Sequence, residues 1–410
     1  MKRIIVIGGG AAGLTSAYFA AQKGAEVTLL EKNEKLGKKI YITGKGRCNF
    51  TNRCDAETFL QNVVHGAKFL KGSIYRFPPE KTISFMEAGG LATKTERGNR
   101  VFPFSDHASD VTATLERYCR GAGVTIRLQE EVQRIDYDGD CVKGVATAKG
   151  YYEADAVIVA TGGLSYPSTG STGDGYRFAK EADMSVTALR PSLVGLNVAD
   201  ACCKALQGLS LKNVALSVCR ADGKVLYSGF GEMLFTHYGI SGPLVLSASA
   251  LLSPEVVGKT EAHIDLKPAL DFATLESRVL RDFELYKNKQ VFNAMKDLLP
   301  QALIAPVLKK SGVPMEKAVH SVTKAERTEI VKTLKCFRLK PTSLRGFEEA
   351  IVTSGGVDLK GVSAASMEST KRKGLYFCGE VLDVDAYTGG FNLQIAFATG
   401  YTAGTNAAAE

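Results

Sequence analysis

The feature that most constrains this chain is residues 2–31, KRIIVIGGGAAGLTSAYFAAQKGAEVTLLE, which read as strand, tight turn, helix, strand. Ile4, Ile5, Val6 and Ile7 form an unbroken apolar run, the pattern of a parallel strand covered on both faces. Gly8, Gly10 and Gly13 then give G-x-G-x-x-G at the strand-to-helix turn. The first glycine allows the turn, the second leaves room for a pyrophosphate, and the third lets helix and strand pack closely. An Ala-rich helix from residue 11 to about 23 stops at Gly24, and residues 27–30 make a second strand ending in Glu31. A carboxylate there can accept hydrogen bonds from both ribose hydroxyls of an adenosine. A lone glycine triplet would fit a structural turn equally well; strand, helix and acid together favour a dinucleotide site. Glu31 disfavours NADP, whereas FAD and NAD both fit.

At 410 residues the chain is long enough for two or three domains. With 45% hydrophobic and 23% charged residues it has the balance of a globular protein. No apolar run reaches the ~20 residues of a membrane helix, and Met1 leads straight into the first strand without a leader, so a cytoplasmic location is expected. Nine cysteines without a C-x-x-C pair fit reduced thiols, and no metal site is expected. The net charge of +8 reads as a mildly basic surface, with only short basic runs, so nucleic-acid binding is disfavoured.

After Glu31, the segment KNEKLGKKIYITGKGRCNFTN is a glycine-rich loop with Gly37, Gly44 and Gly46, made cationic by Lys38, Lys39, Lys45 and Arg47. It follows the second strand, so it can cross a dinucleotide's phosphates, with Arg47, Cys48 and Asn49 reaching towards a reactive ring; a solvated basic loop is the plainer alternative. Cys48 and Cys54 have five residues between them, one more than the redox pair of flavin disulfide reductases, which argues against a dithiol. Residues 55–72 read as one or two amphipathic helices, 79–87 as another, 99–105 as an aromatic pocket-lining segment, and 106–121 as a helix capped by Ser105 or Asp106. Short strands at 124–128, 132–135 and 141–148 follow, with Asp138-Gly139 as a turn. The apolar strand 155–160 ends in Thr161-Gly162-Gly163, a second backbone approach to a dinucleotide, and a helix is expected over 174–183.

From Ser185 short strands take over (186–189, 194–198, 214–220 and 225–230), an inserted β domain interrupted by a Gly-rich loop over 232–243. His237 in that loop is either a proton donor or, more in keeping with its position, a cap for the helix starting near Ser241. Residues 271–335 are helical, punctuated by Pro300, Pro306 and Pro314. Strands return at 336–339, 350–353 and 375–377, the last running into Gly379-Glu380. Asp383, Asp385 and Tyr387 follow, then Thr388-Gly389-Gly390-Phe391-Asn392 and a helix from Leu393. A helix start stabilises negative charge, including that on the N1–C2 carbonyl edge of a reduced flavin.

Taken together, GGGAAG, GKGRCNFTN, VFPFSDHASDV, ATGG–STGDGY, LFTHYGISGP and GLYFCGEVLDVDAYTGGFNLQIAFATG resemble the BaiN/YhiN-type FAD flavoproteins, a group that includes aminoacetone oxidases and bile-acid enone reductases. The resemblance covers nearly the whole chain. It implies an α/β fold: a Rossmann-like FAD-binding domain built from residues 1–187 and 346–410, with an inserted β-barrel-like domain (188–262, returning at 335–345) and a helical domain (263–334). It implies FAD contacts from Ala12, Glu31, Lys38, Lys39, Arg47, Asn49, Val132, Gly162, Gly379, Glu380, Asn392 and Leu393. Gly8, Gly10, Gly13, Gly46, Thr161 and Gly390 complete the expected cofactor set. The expected activity is hydride transfer through flavin N5, reducing an activated C=C bond of a small molecule held between the FAD domain and the inserted domains. NAD(P)H would be a transient reductant, since no second G-x-G-x-x-G is visible. Tyr387, Arg47 and His237 are the candidate proton donors. A flavin-dependent amine oxidase, an RNA-modifying flavoprotein and a non-catalytic flavin-binding protein are the alternatives, and the oligomeric state is open.

Overall fold

Strand β1 (Arg3–Ile7) lies at the centre of a five-stranded parallel sheet. It pairs with β2 (Glu26–Glu31) on one side and with the strand Ala156–Val159 on the other. Thr125–Leu128 and Leu375–Phe377 close the two edges. Ile4, Val6, Val157, Ile158 and Phe377 are all buried, as continuous apolar strands require when both sheet faces are covered. Helix α1 (Ala11–Gln22) ends before Gly24, whose φ of +88° gives the left-handed residue expected just past a helix.

The computed structural model describes residues 1–409. Met1–Ser192 and Phe347–Glu410 make one compact unit and Leu193–Gly346 the other, so the nucleotide-binding fold is assembled from both chain ends. The C-terminal helix Phe391–Ala407 joins those ends by lying along α1. Close approach is possible because Gly400 and Gly404 present no side chain. A Cβ on Gly400 would stand 2.6 Å from Ala12 O, and one on Gly404 2.3 Å from Ser16 O. The helix buries Thr399 and Thr402, whose hydroxyls donate to Ile395 O (2.7 Å) and Ala398 O (2.9 Å), so neither is left unsatisfied.

The second unit contains a seven-stranded antiparallel sheet. Its two edge strands, Phe337–Leu339 and Pro341–Leu344, are separated in the chain only by Lys340, so the sheet must curl towards closure, as in a barrel. Helices Phe272–Leu285, Gln301–Ser311 and Lys324–Lys335 share its core through Leu275, Val279, Leu303, Val307, Ile330 and Leu334.

Several local expectations need correction. Residues 55–72 do hold two helices, Ala56–Gln61 and Ala67–Arg76, but the strand Val63–His65, not foreseen, separates them. Its partner is Asp385–Ala386, a pairing across more than 300 residues that local periodicity cannot reveal. The helix expected from residue 106 starts at Ala108, with Ser105 Oγ accepting from His107 N instead of capping directly. Residues 186–189 form no strand beyond one bridge, Val186 to Val357; the strand is Arg190–Ser192. The loop expected over 232–243 is strand through Thr236, a turn at His237-Tyr238, and strand Gly239–Ser241. Gly242 caps the helix that follows, so His237 is not its cap. Pro306 lies inside Gln301–Ser311 instead of bounding it; the lost ladder bond is tolerated where Leu303, Ile304, Val307 and Leu308 are buried. Thr260–Asp265 is an additional strand of the curled sheet.

Candidate functional site

The three glycines after β1 have different surroundings. Gly8 has φ +104°, and a Cβ there would meet Ala160 O at 2.6 Å. On Gly13 it would meet Gly8 O at 1.8 Å. Gly10, the residue preceding α1, would meet nothing within 4 Å. Open room therefore lies where a phosphate would approach the helix start, and no acidic side chain occupies the first turn. At the end of β2 the Glu31 carboxylate is buried and held in place. It accepts from Gly9 N (2.7 Å), Asn33 N (2.8 Å) and Asn33 Nδ2 (2.7 Å). Glu130 N donates to Glu31 O (3.0 Å), which brings the strand beginning at buried Val132 to the same end of the sheet.

The cationic loop is committed to carboxylates. Lys38 pairs with Glu34 (2.8 Å), and Lys39 with Glu380 (2.6 Å) and Ser165 Oγ (2.5 Å). Arg47 binds Glu96 and Asp106 and lies 4.4 Å from the centre of the Phe102 ring. Those carboxylates raise its pKa, so it is a poor proton donor. Around it Gly44, Lys45, Gly46 and Cys48 all have positive φ. Burial pushes the Cys48 thiol up to about 12 and, aided by Asp55, the Cys54 thiol up to about 11, the opposite of what a redox dithiol needs.

The other strand ends complete a cradle. Gly162 has φ +73°, and the hydroxyl of neighbouring Thr161 is buried without a partner. Gly379 has φ +78°, donates its N–H to Thr399 Oγ1 (2.9 Å), and would meet Ala12 Cβ at 2.8 Å if it carried a Cβ. Glu380 accepts from Ser165 Oγ (2.7 Å) and Thr353 N (2.8 Å). Gly390, at φ +95°, opens the C-terminal helix; a Cβ there would crowd Thr51 O (2.3 Å) and Asn49 Oδ1 (2.9 Å). Asn49 Oδ1 is itself buried without a partner. Leu393 is half-buried in the first turn. Asn392 acts locally: its Oδ1 accepts from Ala386 N (3.0 Å) and its Nδ2 donates to Ala386 O (2.8 Å). Unfilled room above Gly10, a fixed Glu31, two orphaned polar atoms and an acid-free helix start fit FAD.

Sequence reasoning missed a polar chain in the same unit that ends on a buried carboxylate. His65 Nδ1 lies 2.5 Å from Asp385 Oδ1, and Asp385 is 0% exposed. Ser192 Oγ and Ser354 Oγ donate to the same carboxylate at 3.2 and 3.3 Å. Arg190 Nη2 lies 3.2 Å from His65 Nε2, and Arg190 Nε donates to Ser354 Oγ (3.2 Å). Asp385 stood out in the sequence, but His65 was hidden in a supposed helix. Of the other candidates, Tyr387 is tied through its N–H to Asn62 O (3.0 Å), and burial with Asp385 raises its phenol. His237 is exposed in a hairpin turn of the other unit, its ring against Tyr238. Among the described residues no three His, Cys, Asp or Glu side chains gather as a metal site, and no helix is long and apolar enough to cross a membrane.

The chain is similar to several known proteins. A 3-dehydro-bile acid delta(4,6)-reductase of Clostridium scindens is 34% identical over 420 residues, covering 100% of this chain and 99% of that one. A ribosomal RNA dihydrouridine synthase of Haemophilus influenzae is 32% identical over 404 residues, covering 97% and 96%. Among solved structures, the 3-ketosteroid-delta4-(5alpha)-dehydrogenase of Rhodococcus jostii RHA1 superposes with a TM-score of 0.54 at 15% identity, covering 100% of this chain and 97% of that one, a likeness of fold. The family model described as HI0933-like protein Rossmann domain matches residues 2–406. With that match spanning almost all of its length, the chain belongs to the HI0933-like family of FAD-binding Rossmann-domain proteins.

Proposed function

We propose that this protein reduces a C=C bond conjugated with a carbonyl, using FAD as hydride donor and NAD(P)H as reductant. The observation that carries the reading is the cradle at the three strand ends, with Asn49 Oδ1 orphaned beside the C-terminal helix start. The names of its near-full-length relatives support it, because they share one chemistry. Dihydrouridine is uridine with one ring C=C bond saturated, and a delta(4,6)-reductase of a 3-dehydro bile acid saturates ring C=C bonds in conjugation with a ketone.

Bound FAD would supply hydride at N5. The chain's own residues bind and orient. Glu31 takes the ribose, the backbone at Gly8–Gly13 takes the pyrophosphate, and Thr161, Gly162, Asn49 and the amides after Gly390 take the ring end. Lys39, neutralised by Glu380, fixes the loop that carries Asn49. A cytoplasmic location belongs to this reading, since the nine free thiols suit a reducing compartment.

The test is anaerobic. Purified yellow protein is reduced with NADH or NADPH and mixed with a cyclic enone such as 4-androstene-3,17-dione, or with uridine-containing ribosomal RNA. Reoxidation of the flavin by either, with a saturated product, is the expected result. Reoxidation by neither, with bleaching of the oxidised flavin by aminoacetone, would move the reading to the amine oxidase.

One observation favours RNA as the carrier of the C=C bond. Residues 193–346 hold 21 Lys and Arg against 14 Asp and Glu, a net +7 of the chain's +8. A charge of that sign gathered in one unit suits a polyanionic substrate better than the same charge spread evenly. Under this reading a uracil base is the reduced group.

A further inference from the structure

We propose that Arg190, aimed by His65 and Ser354 and balanced by buried Asp385, binds the carbonyl oxygen of the substrate and stabilises the enolate formed during reduction. The proposal rests on the reading of carbonyl-conjugated C=C reduction.

The geometry begins with Asp385. A carboxylate removed from water needs compensation from charge and hydrogen bonds. Asp385 has His65 Nδ1, Ser192 Oγ and Ser354 Oγ around it. The bond to Asp385 fixes His65 as the Nδ1–H tautomer, leaving Nε2 as an acceptor. Arg190 Nη2 donates to that Nε2, and Arg190 Nε donates to Ser354 Oγ. Two acceptors therefore set the plane of the guanidinium while Nη1 stays available to a ligand. Both Arg190 and His65 are partly exposed, so this end of the chain of groups is accessible. The groups facing His65 are Asp385 and Arg190; Tyr387, whose phenol burial and then Asp385 raise, stands beside the same carboxylate.

The cluster adjoins the cofactor cradle on two sides. Thr353 N donates to Glu380, and the next residue, Ser354, contacts both Asp385 and Arg190. Ala386, next to Asp385, is held through both its N–H and its C=O by Asn392 in the first turn of the C-terminal helix.

Bound reduced FAD would supply the hydride that the carbon β to the carbonyl takes up. The C=C electron pair shifts to form the enolate, and the carbonyl pair moves onto oxygen. The guanidinium meets the new charge there, as the donor of an oxyanion site. A water proton then closes the α carbon, leaving the saturated carbonyl compound and oxidised flavin. Arg190 is the catalytic residue of this step, and His65 and Asp385 are positioning residues.

Two measurements on the oxidised holoprotein and one on turnover decide the matter. p-Chlorophenol, whose phenolate mimics an enolate, should bind with a long-wavelength charge-transfer band. Arg190→Gln should weaken that binding at least tenfold and lower enone or uridine reduction by about 10²–10³-fold, with flavin content retained. Arg190→Lys should recover part of both. Nitrogen-15 NMR should show His65 as the Nδ1–H tautomer in the wild type and a mixture in Asp385→Asn. Phenolate affinity and turnover within twofold of wild type in Arg190→Gln would overturn the proposal, as would no phenolate binding by the wild type. If Arg190→Gln does not fold, Arg190→Lys at wild-type values would overturn it. Wild-type protein that binds phenolate but reduces neither enone nor uridine would sink the functional reading and leave the anion site standing.

Discussion

Gly10 and Gly13 lie three positions apart in one turn, yet substitution should affect them in opposite ways. Gly10 has φ −85° and faces open space, so Gly10→Ala should leave the apoprotein within about 0.5 kcal/mol of wild type. The added methyl would occupy the room the pyrophosphate needs, and FAD affinity should fall tenfold or more. In Gly13→Ala the methyl would lie 1.8 Å from Gly8 O, which the structure cannot accommodate without moving α1 off the sheet. That variant should lose about 1–3 kcal/mol of stability before any ligand is added. Thermal melts of both apoproteins with flavin titrations distinguish the two; equal melting losses would refute the assignment of roles. Cys48 offers a second residue-scale check. Its buried thiol, raised to about 12, should resist iodoacetamide at pH 7.5 in the native protein while exposed Cys141 reacts. Rapid labelling of Cys48, read by peptide mass spectrometry, would contradict the packing of this loop.

Helix contacts carry the next set of consequences. The Gly400 and Gly404 notches let the C-terminal helix lie against α1, and this placement puts Gly390 beside Asn49. Gly404→Ala would drive a methyl to 2.3 Å from Ser16 O. It should cost about 1–3 kcal/mol, and because the helix start moves with its body, flavin fluorescence should rise as the ring end loosens. Unchanged melting temperature and fluorescence would show that the helix start is set independently. In the other unit, helix Lys324–Lys335 begins with a reciprocal cap between Thr323 and Glu326, reinforced by Lys317. Lys317, with the Thr323 N–H, depresses Glu326 from 4.5 to about 2. A depressed carboxylate stabilises the fold above its ordinary pKa, and that contribution is lost as pH falls from about 4.5 through 2. Urea unfolding at pH 7 and pH 3 should therefore show a smaller acid-induced loss for Glu326→Gln than for wild type.

At the scale of the whole molecule, charge is divided unevenly between the two compact units, and that division bears on the substrate. If residues 193–346 receive a polyanion, binding of a ribosomal RNA fragment should weaken by orders of magnitude between 50 and 200 mM salt. Reduction of a neutral enone should change little over the same range. Salt-insensitive or absent RNA binding would leave the small-molecule substrate alone. The net charge of the full chain hid this asymmetry, because the unit built from both chain ends is almost balanced.

How much could be read in advance follows the range of the interactions. The β1–α1–β2 turn, the glycines at three strand ends and the alternation of strands with turns are encoded by neighbouring residues, through φ preferences and apolar spacing, so they were legible. The left-handed glycines Gly162, Gly379 and Gly390 beside those strand ends were legible for the same reason. The His65–Asp385–Arg190 chain was not, because its members come from residues 65, 190 and 385 and meet only when two short strands pair across the fold. The same holds for the sheet that curls because Lys340 alone links its opposite edges, and for Arg47, which went to Glu96 and Asp106. Local chemistry dictated that a dinucleotide fits at these strand ends; which buried charges stand beside it was decided by long-range packing, where a carboxylate taken out of water must find partners wherever the fold brings them.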